Sequence, residues 1–164
     1  MLLQLRPLFM GEISSMPIDV QLDFSKETVN GQEPFVQPVS VKGEITASAD
    51  VIVLRAEISF EFDGRCDRCL RRYQRAQTLS VEHILVDSLS DDENDDFVLL
   101  QQYQLLLDDL ILSDILLELP YKSLCKEDCR GLCPHCGKDL NEGLCGCKTD
   151  TTDPRLAVLK QLLK

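Results

Sequence analysis

An α+β chain is what this sequence predicts: an antiparallel β-sheet body with a packed helix, then a small zinc-ribbon-like cysteine cluster followed by a short helix. Three observations carry that reading. Apolar residues alternate with polar ones from Ile52 to Phe62, an apolar run stops at Pro120, and six cysteines crowd between Cys125 and Cys147. Residues 1–120 form the predicted body and residues 121–164 the cysteine-rich tail.

The first 35 residues carry no motif. Val39, Val41, Ile45 and Ala47 then alternate with polar or small residues, and the short turn at Ser48 to Asp50 joins them to the next strand as a hairpin. In that strand Ile52, Leu54, Ala56, Ile58, Phe60 and Phe62 share one face, while Arg55, Glu57, Ser59 and Glu61 share the other. Leu79 to Val86 reads as a third strand, with His83 on its apolar face as a hydrogen-bonded core residue. Asp109 to Leu119 reads as a helix opened by Asp108 or Asp109 and stopped by Pro120. After the cysteines, Asp153 can cap a terminal helix, Pro154 suits its first turn, and Leu156, Leu159 and Leu163 share a stripe.

The cysteines have metal-ligand spacing. Zinc takes four thiolates in a tetrahedron, and each tight Cys-x-x-Cys loop supplies two. Cys133, Cys136, Cys145 and Cys147 make the most economical set, with His135 an exposed loop residue inside the first pair. Cys66, Cys69, Cys125 and Cys129 then remain for a second zinc. Spacing also allows Cys125 and Cys129 to join Cys133 and Cys136, leaving Cys66 and Cys69 for Cys145 and Cys147, or a single zinc with spare thiols. Leu132, Leu140 and Leu144 are the only large aliphatics from Cys125 to Cys147, so metal would have to supply the folding free energy there. Disulfides are the competing use of eight cysteines. They suit an exported chain, and the opening MLLQLRPLFMGEISSMP breaks its apolar character at Arg6, Pro7 and Gly11, unlike a signal peptide. No apolar run approaches the roughly 18–20 residues of a membrane span. The expectation is a soluble, cytoplasmic protein with reduced thiols.

Charge is unevenly placed. The net charge is −11, yet the segment from Ala76 to Tyr121 holds eleven carboxylates and no Lys or Arg, leaving 17 acidic against 17 basic residues elsewhere. Its centre carries Asp91, Asp92, Asp95 and Asp96, either a solvated loop or a contact for a basic protein partner. Just upstream, Arg65, Arg68, Arg71, Arg72 and Arg75 surround the first cysteine pair. Guanidinium forks grip phosphate with two hydrogen bonds, so the cluster is a candidate RNA contact; the plainer reading is that the arginines pair with the acidic run that follows.

Taken in order, C-D-R-C-L, an acidic stretch, an apolar helix ending in L-P, C-K-E-D-C-R-G-L-C-P-H-C-G-K-D-L-N, C-G-C and D-P-R-L-A-V-L-K resemble the YceD family, described as large ribosomal RNA subunit accumulation proteins, in its cysteine-rich Gram-positive form. The resemblance spans Val36 to Lys164. It implies a cytoplasmic bacterial protein needed for accumulation of 23S ribosomal RNA, with no catalytic activity. The Cys66 and Cys69 pair, the six tail cysteines and the closing Asp153, Pro154 and Arg155 match the family's motifs.

A non-catalytic adaptor in ribosome biogenesis follows as the expected function, with ribosomal RNA or a large-subunit precursor as one partner and a basic ribosomal protein as another. No membrane and no small-molecule substrate is expected. Two other classes compete. Thiol redox or zinc buffering would use Cys66 and Cys69, but redox pairs usually open a helix in a βαβ setting and this pair follows a long strand. A DNA-directed zinc-ribbon regulator needs a basic reading element, and GKDLNEGL offers only Lys138 against Asp139 and Glu142. A hydrolase or nuclease lacks a triad, a phosphate loop or a separate carboxylate pair.

Overall fold

The computed structural model describes residues 1–49, 51–88 and 97–147. The terminal helix expected after Asp153, and the acidic residues Asp91, Asp92, Asp95 and Asp96, lie outside the described residues. In chain order the elements are β1 (Leu2–Gln4), the one-turn α1 (Arg6–Phe9), β2 (Ser15–Leu22), β3 (Val39–Ser48), β4 (Val51–Arg65), β5 (Arg72–Val86), β6 (Phe97–Leu99), β7 (Gln104–Leu106) and α2 (Leu107–Glu118). The α+β class predicted from the alternation and the helix is the class observed.

Five strands form one sheet in the order β2-β3-β4-β5-β6, and β1 pairs with β7 in a separate ribbon. The neighbours from β2 to β5 are antiparallel; β6 joins β5 in parallel, through Ile84↔Phe97 to Val86↔Leu99. One face of the sheet is apolar because the strands keep a common phase. Register places Val41 opposite Ile58 and Ile45 opposite Leu54, and all four are fully buried. Met16, Ile18, Val20 and Leu22 continue the same face onto β2, an edge strand, where Pro17 can forgo a ladder hydrogen bond. That alternation was readable in the sequence.

Two differences from the expected elements bear on the site. First, β5 begins at Arg72, seven residues before Leu79, because β4 runs on to Arg65 and offers its backbone groups as far as Arg65↔Arg72. The two strands make a hairpin roughly 46 Å long at about 3.3 Å per residue, with Cys66 and Cys69 at its tip. Beyond β3, the loop before β3 takes over as neighbour. Pro34 O accepts from Asp63 N at 2.9 Å and Gln32 Oε1 from Arg65 N at 3.0 Å, while Phe35 packs edge-on against Phe24 and Phe60.

Second, α2 starts at Leu107 with Leu106 in the cap position and no side-chain cap. The chain enters the helix directly from β7, so Asp108 and Asp109 occupy the first turn, where they favour the helix dipole without capping it. Leu119 is extended before Pro120, as proline requires of the residue it follows. Leu107, Ile111 and Ile115 bury one stripe against the sheet, and Asp114 Oδ2 meets His83 Nε2 at 2.9 Å, which satisfies the half-buried histidine. No helix among the described residues is long and apolar enough to cross a membrane.

Candidate metal centres

Cys66 and Cys69 sit in the hairpin tip, in a turn that closes on itself. Leu70 N–H donates to Cys66 O at 2.8 Å, and Cys66 N–H donates to Arg71 O at 2.9 Å. Cys133 and Cys136 repeat the pattern, with Gly137 N–H on Cys133 O and Cys133 N–H on Lys138 O, each at 2.9 Å. Both turns need a left-handed residue in fifth position. Gly137 takes it at φ +72° without a Cβ conflict, whereas Leu70 takes it at φ +59° and stands exposed.

The tail is laid across this tip by specific contacts. Asp67 N–H donates to Ser123 O at 2.8 Å, and Ser123 N–H returns to Asp67 Oδ2 at 2.7 Å. Further along, Leu132 N–H reaches Arg68 O at 3.2 Å. Gly131 beside it has φ +73° and a site where any Cβ would lie 2.9 Å from Arg68 O, so glycine is required twice over. These contacts bring Cys125 and Cys129 against the hairpin.

The eight thiols are free and fall into two groups, Cys66, Cys69, Cys125 and Cys129 in one and Cys133, Cys136, Cys145 and Cys147 in the other. Within each group the sulfurs all lie within 4.8 Å of one another. Cys66 and Cys129 sulfurs are 3.7 Å apart, those of Cys69 and Cys125 3.6 Å. A tetrahedron with metal–sulfur bonds of about 2.3 Å has edges of about 3.8 Å, so the spacing fits a four-thiolate ion. The His135 ring belongs to neither group.

The electrostatics fit as well. Burial opposes ionisation of Cys66, but N–H groups of Cys125, Cys69 and Arg68 directed at its sulfur win, and its thiol is lowered to about 6. Cys133 is lowered to about 6 by the N–H groups of Cys136 and His135 and by the Cys145 thiol. Burial, with crowding by Cys69, Cys129 and Cys66, pushes Cys125 up to about 12; contact with Cys136, then burial, does the same to Cys147. Each group thus has one thiol that ionises readily beside at least one that resists it, Cys125 in the hairpin group and Cys147 in the terminal group. A divalent cation at the centre of either group would remove that resistance and let all four sulfurs act as ligands. Among the described residues little else stabilises the tail: Cys66, Cys69 and Cys129 form a buried cluster with Tyr73, Leu124, Cys125 and Leu132 packed on it.

All five arginines of the tip are exposed, and four have acceptors. Arg72 grips Asp63 through two bonds at 2.6 and 2.9 Å, and Gln74 adds a third to the same buried carboxylate at 2.9 Å. Arg71 Nη2 bridges Asp139 at 2.9 Å and Glu142 at 2.7 Å. Arg68 donates to Cys129 O at 2.8 Å, and Arg75 to Leu124 O at 3.2 Å while lying over the Tyr73 ring. The Arg65 guanidinium has no acceptor among the described residues. These partners come from Asp63 and the tail. The sequence pattern singled out neither Asp63 nor Asn141: Asp63 continues the polar face of β4 after Glu61 and only its burial departs from the alternation, and Asn141 reads as an ordinary turn former.

The profile of the family "Large ribosomal RNA subunit accumulation protein YceD" matches residues 54–163. The chain is 30% identical over 131 residues to the uncharacterized protein YlbN of Bacillus subtilis, covering 79% of this chain and 76% of that one. It is 32% identical over 104 residues to the uncharacterized protein Rv2926c of Mycobacterium tuberculosis, covering 61% of this chain and 50% of that one. No solved structure matches the chain.

Proposed function

The chain belongs to the YceD family, whose name ties it to accumulation of large-subunit ribosomal RNA, and from that premise we propose a non-catalytic ribosome biogenesis factor braced by two zinc ions. The observation that carries the reading is the pair of four-cysteine groups at the junction of a long hairpin and a tail with almost no apolar core. Such an arrangement builds a rigid protruding tip. Zinc is the proposed metal because four thiolates in a closed, tetrahedral, structural set are its commonest environment. In this reading residues 1–120 are the body and residues 121–164 the metal-bearing tail, and the protein is cytoplasmic, where thiols stay reduced.

The tip is the proposed contact for 23S ribosomal RNA or its precursor. Arg71 and Arg72 keep 54% and 70% of their side-chain surface exposed even when paired, so Arg65, Arg68, Arg71, Arg72 and Arg75 present a basic face to phosphate. The acidic residues Asp91, Asp92, Asp95 and Asp96 are the proposed contact for a basic ribosomal protein, which makes the molecule a two-sided adaptor.

The test uses Arg65, because its side chain has no hydrogen-bond or ion-pair partner among the described residues. Arg65→Glu is expected to weaken association with large-subunit precursor RNA and to lower the slope of log K against log salt by roughly 0.7–0.9 for a lost phosphate contact. Zinc content, read in parallel by elemental analysis, stays at about two per chain. Unchanged binding across several salt concentrations would remove RNA from the proposal, and a metal-free protein prepared under reducing, zinc-replete conditions would remove the metal.

A further inference from the structure

We propose that Asn141 and Arg71 are positioning residues that couple the two thiolate groups, so that closure of the terminal group slows loss of metal from the hairpin group; this rests on the metal reading above. The contacts form a closed circuit. Asn141 Nδ2 donates to Cys129 Sγ at 3.4 Å, and its Oδ1 accepts from Arg130 N–H at 2.9 Å. The Asn141 N–H and Nδ2 also reach Asp139 Oδ1, at 2.8 and 2.7 Å. Asp139 Oδ2 takes Arg71 at 2.9 Å, and Arg71 O takes the N–H of Cys66 at 2.9 Å. Cys66 Sγ faces Cys129 Sγ at 3.7 Å, which closes the ring.

Asn141 lies between Cys136 and Cys145, within the loop that the terminal group closes, yet its amide donates to a sulfur of the other group. A donor aimed at a ligand sulfur fixes the sulfur's direction toward the centre of its group. Asn141 holds that place only while residues 137–144 are folded. That segment has no core of its own, and Leu144 is 79% exposed. Metal at Cys133, Cys136, Cys145 and Cys147 therefore positions a group that the hairpin metal needs. Coupling of this kind is reciprocal, so each ion raises retention of the other by the same factor at equilibrium.

Full-length protein loaded with zinc and challenged with a chromophoric chelator tests the coupling by release kinetics, with cobalt(II) loading as a spectroscopic check on thiolate ligation. Cys145→Ser, which opens the terminal group, is expected to speed release from the hairpin group by about 10–100-fold, the usual effect of losing an outer partner. Asn141→Leu and Asn141→Asp are expected to speed it comparably while about two ions still bind per chain. The aspartate keeps the acceptor for Arg130 but loses the amide donor to Cys129 and Asp139 and adds a negative charge, so the neutral Asn141→Leu is read beside it, and a shifted cobalt charge-transfer band accompanies both. Arg71→Leu, which frees Asp139, acts in the same direction. Adding Cys145→Ser to Asn141→Leu is expected to change the hairpin rate no further. Equal acceleration by Cys145→Ser in both backgrounds, or a parent-like rate in Asn141→Asp, overturns the coupling. A parent protein with no cobalt–thiolate band overturns the metal reading itself, a separate outcome.

Discussion

Cys66→Ser is expected to lower metal content from about two ions per chain to about one and to open the backbone at Tyr121 to Leu124 to protease. Cys66 is fully buried at the hairpin tip and stands between the body and two tail cysteines. Apparent binding free energies of structural zinc in small domains are on the order of 10–16 kcal/mol at neutral pH, far above what the few apolar contacts of Leu124 and Leu132 contribute. Without that ion the tail is held by backbone bonds such as Asp67 N–H to Ser123 O and by ion pairs with exposed arginines. These are worth about 1 kcal/mol or less apiece. The β4–β5 hairpin has its own core, so most of the strand signal in circular dichroism should survive. Cys145→Ser provides the contrast, since it opens the terminal knuckle and keeps all four ligands Cys66, Cys69, Cys125 and Cys129, whose ion is released faster but still binds. Unchanged proteolysis at Tyr121 to Leu124 in Cys66→Ser would show that this group does not join tail to body.

Arg72→Ala is expected to lower the urea midpoint of the hairpin more than Asp63→Ala does. The asymmetry follows from burial. Asp63 is 6% exposed while the Arg72 side chain is 70% exposed. Removing arginine leaves a buried carboxylate with Gln74 as its remaining side-chain donor, whereas removing the carboxylate leaves an arginine that water can solvate. Equal losses in the two single variants would show that burial does not set the cost. The same pair has a pH signature. Its bond to Arg72 holds the Asp63 carboxyl below the usual aspartate value of 3.8, against an opposing contribution from burial. A depressed folded-state pKa contributes stability that is fully present above the unfolded value. It is lost as pH falls below about 4 through the folded value. Arg72→Ala should flatten that acid dependence. Any RNA experiment that replaces Arg72 therefore reports folding as well as binding, which is why Arg65 is the cleaner site.

Much of the body was legible because its signals are local. Alternation from Ile52 to Phe62 needs only the two-residue repeat of a strand and one buried face, and the stop at Pro120 needs only the missing N–H and the ring of proline. The edge strand from Ser15 to Leu22 carried the same alternation and was overlooked beside Pro17, a residue that an edge tolerates. The early start of β5 was not legible at all. Arg72, Gln74 and Ala76 have no strand pattern of their own, and they are extended because β4 lies opposite with unpaired backbone groups.

The cysteine spacing by itself pointed to turns able to hold a metal, and the segment from Cys125 to Cys147 has too few aliphatics to fold on a core. The spacing left the partition of eight thiols open, since a Cys-x-x-Cys loop specifies two ligands and nothing about the other two. Tertiary structure decided which sulfurs meet, because the long β4–β5 hairpin carries Cys66 and Cys69 to where the chain after α2 returns with Cys125 and Cys129. It also decided where the arginines spend their hydrogen bonds. Asp63, Asp139 and Glu142 lie between 9 and 71 residues away along the chain, and a charge pair over such separations is set by the path of the backbone, which no local pattern encodes.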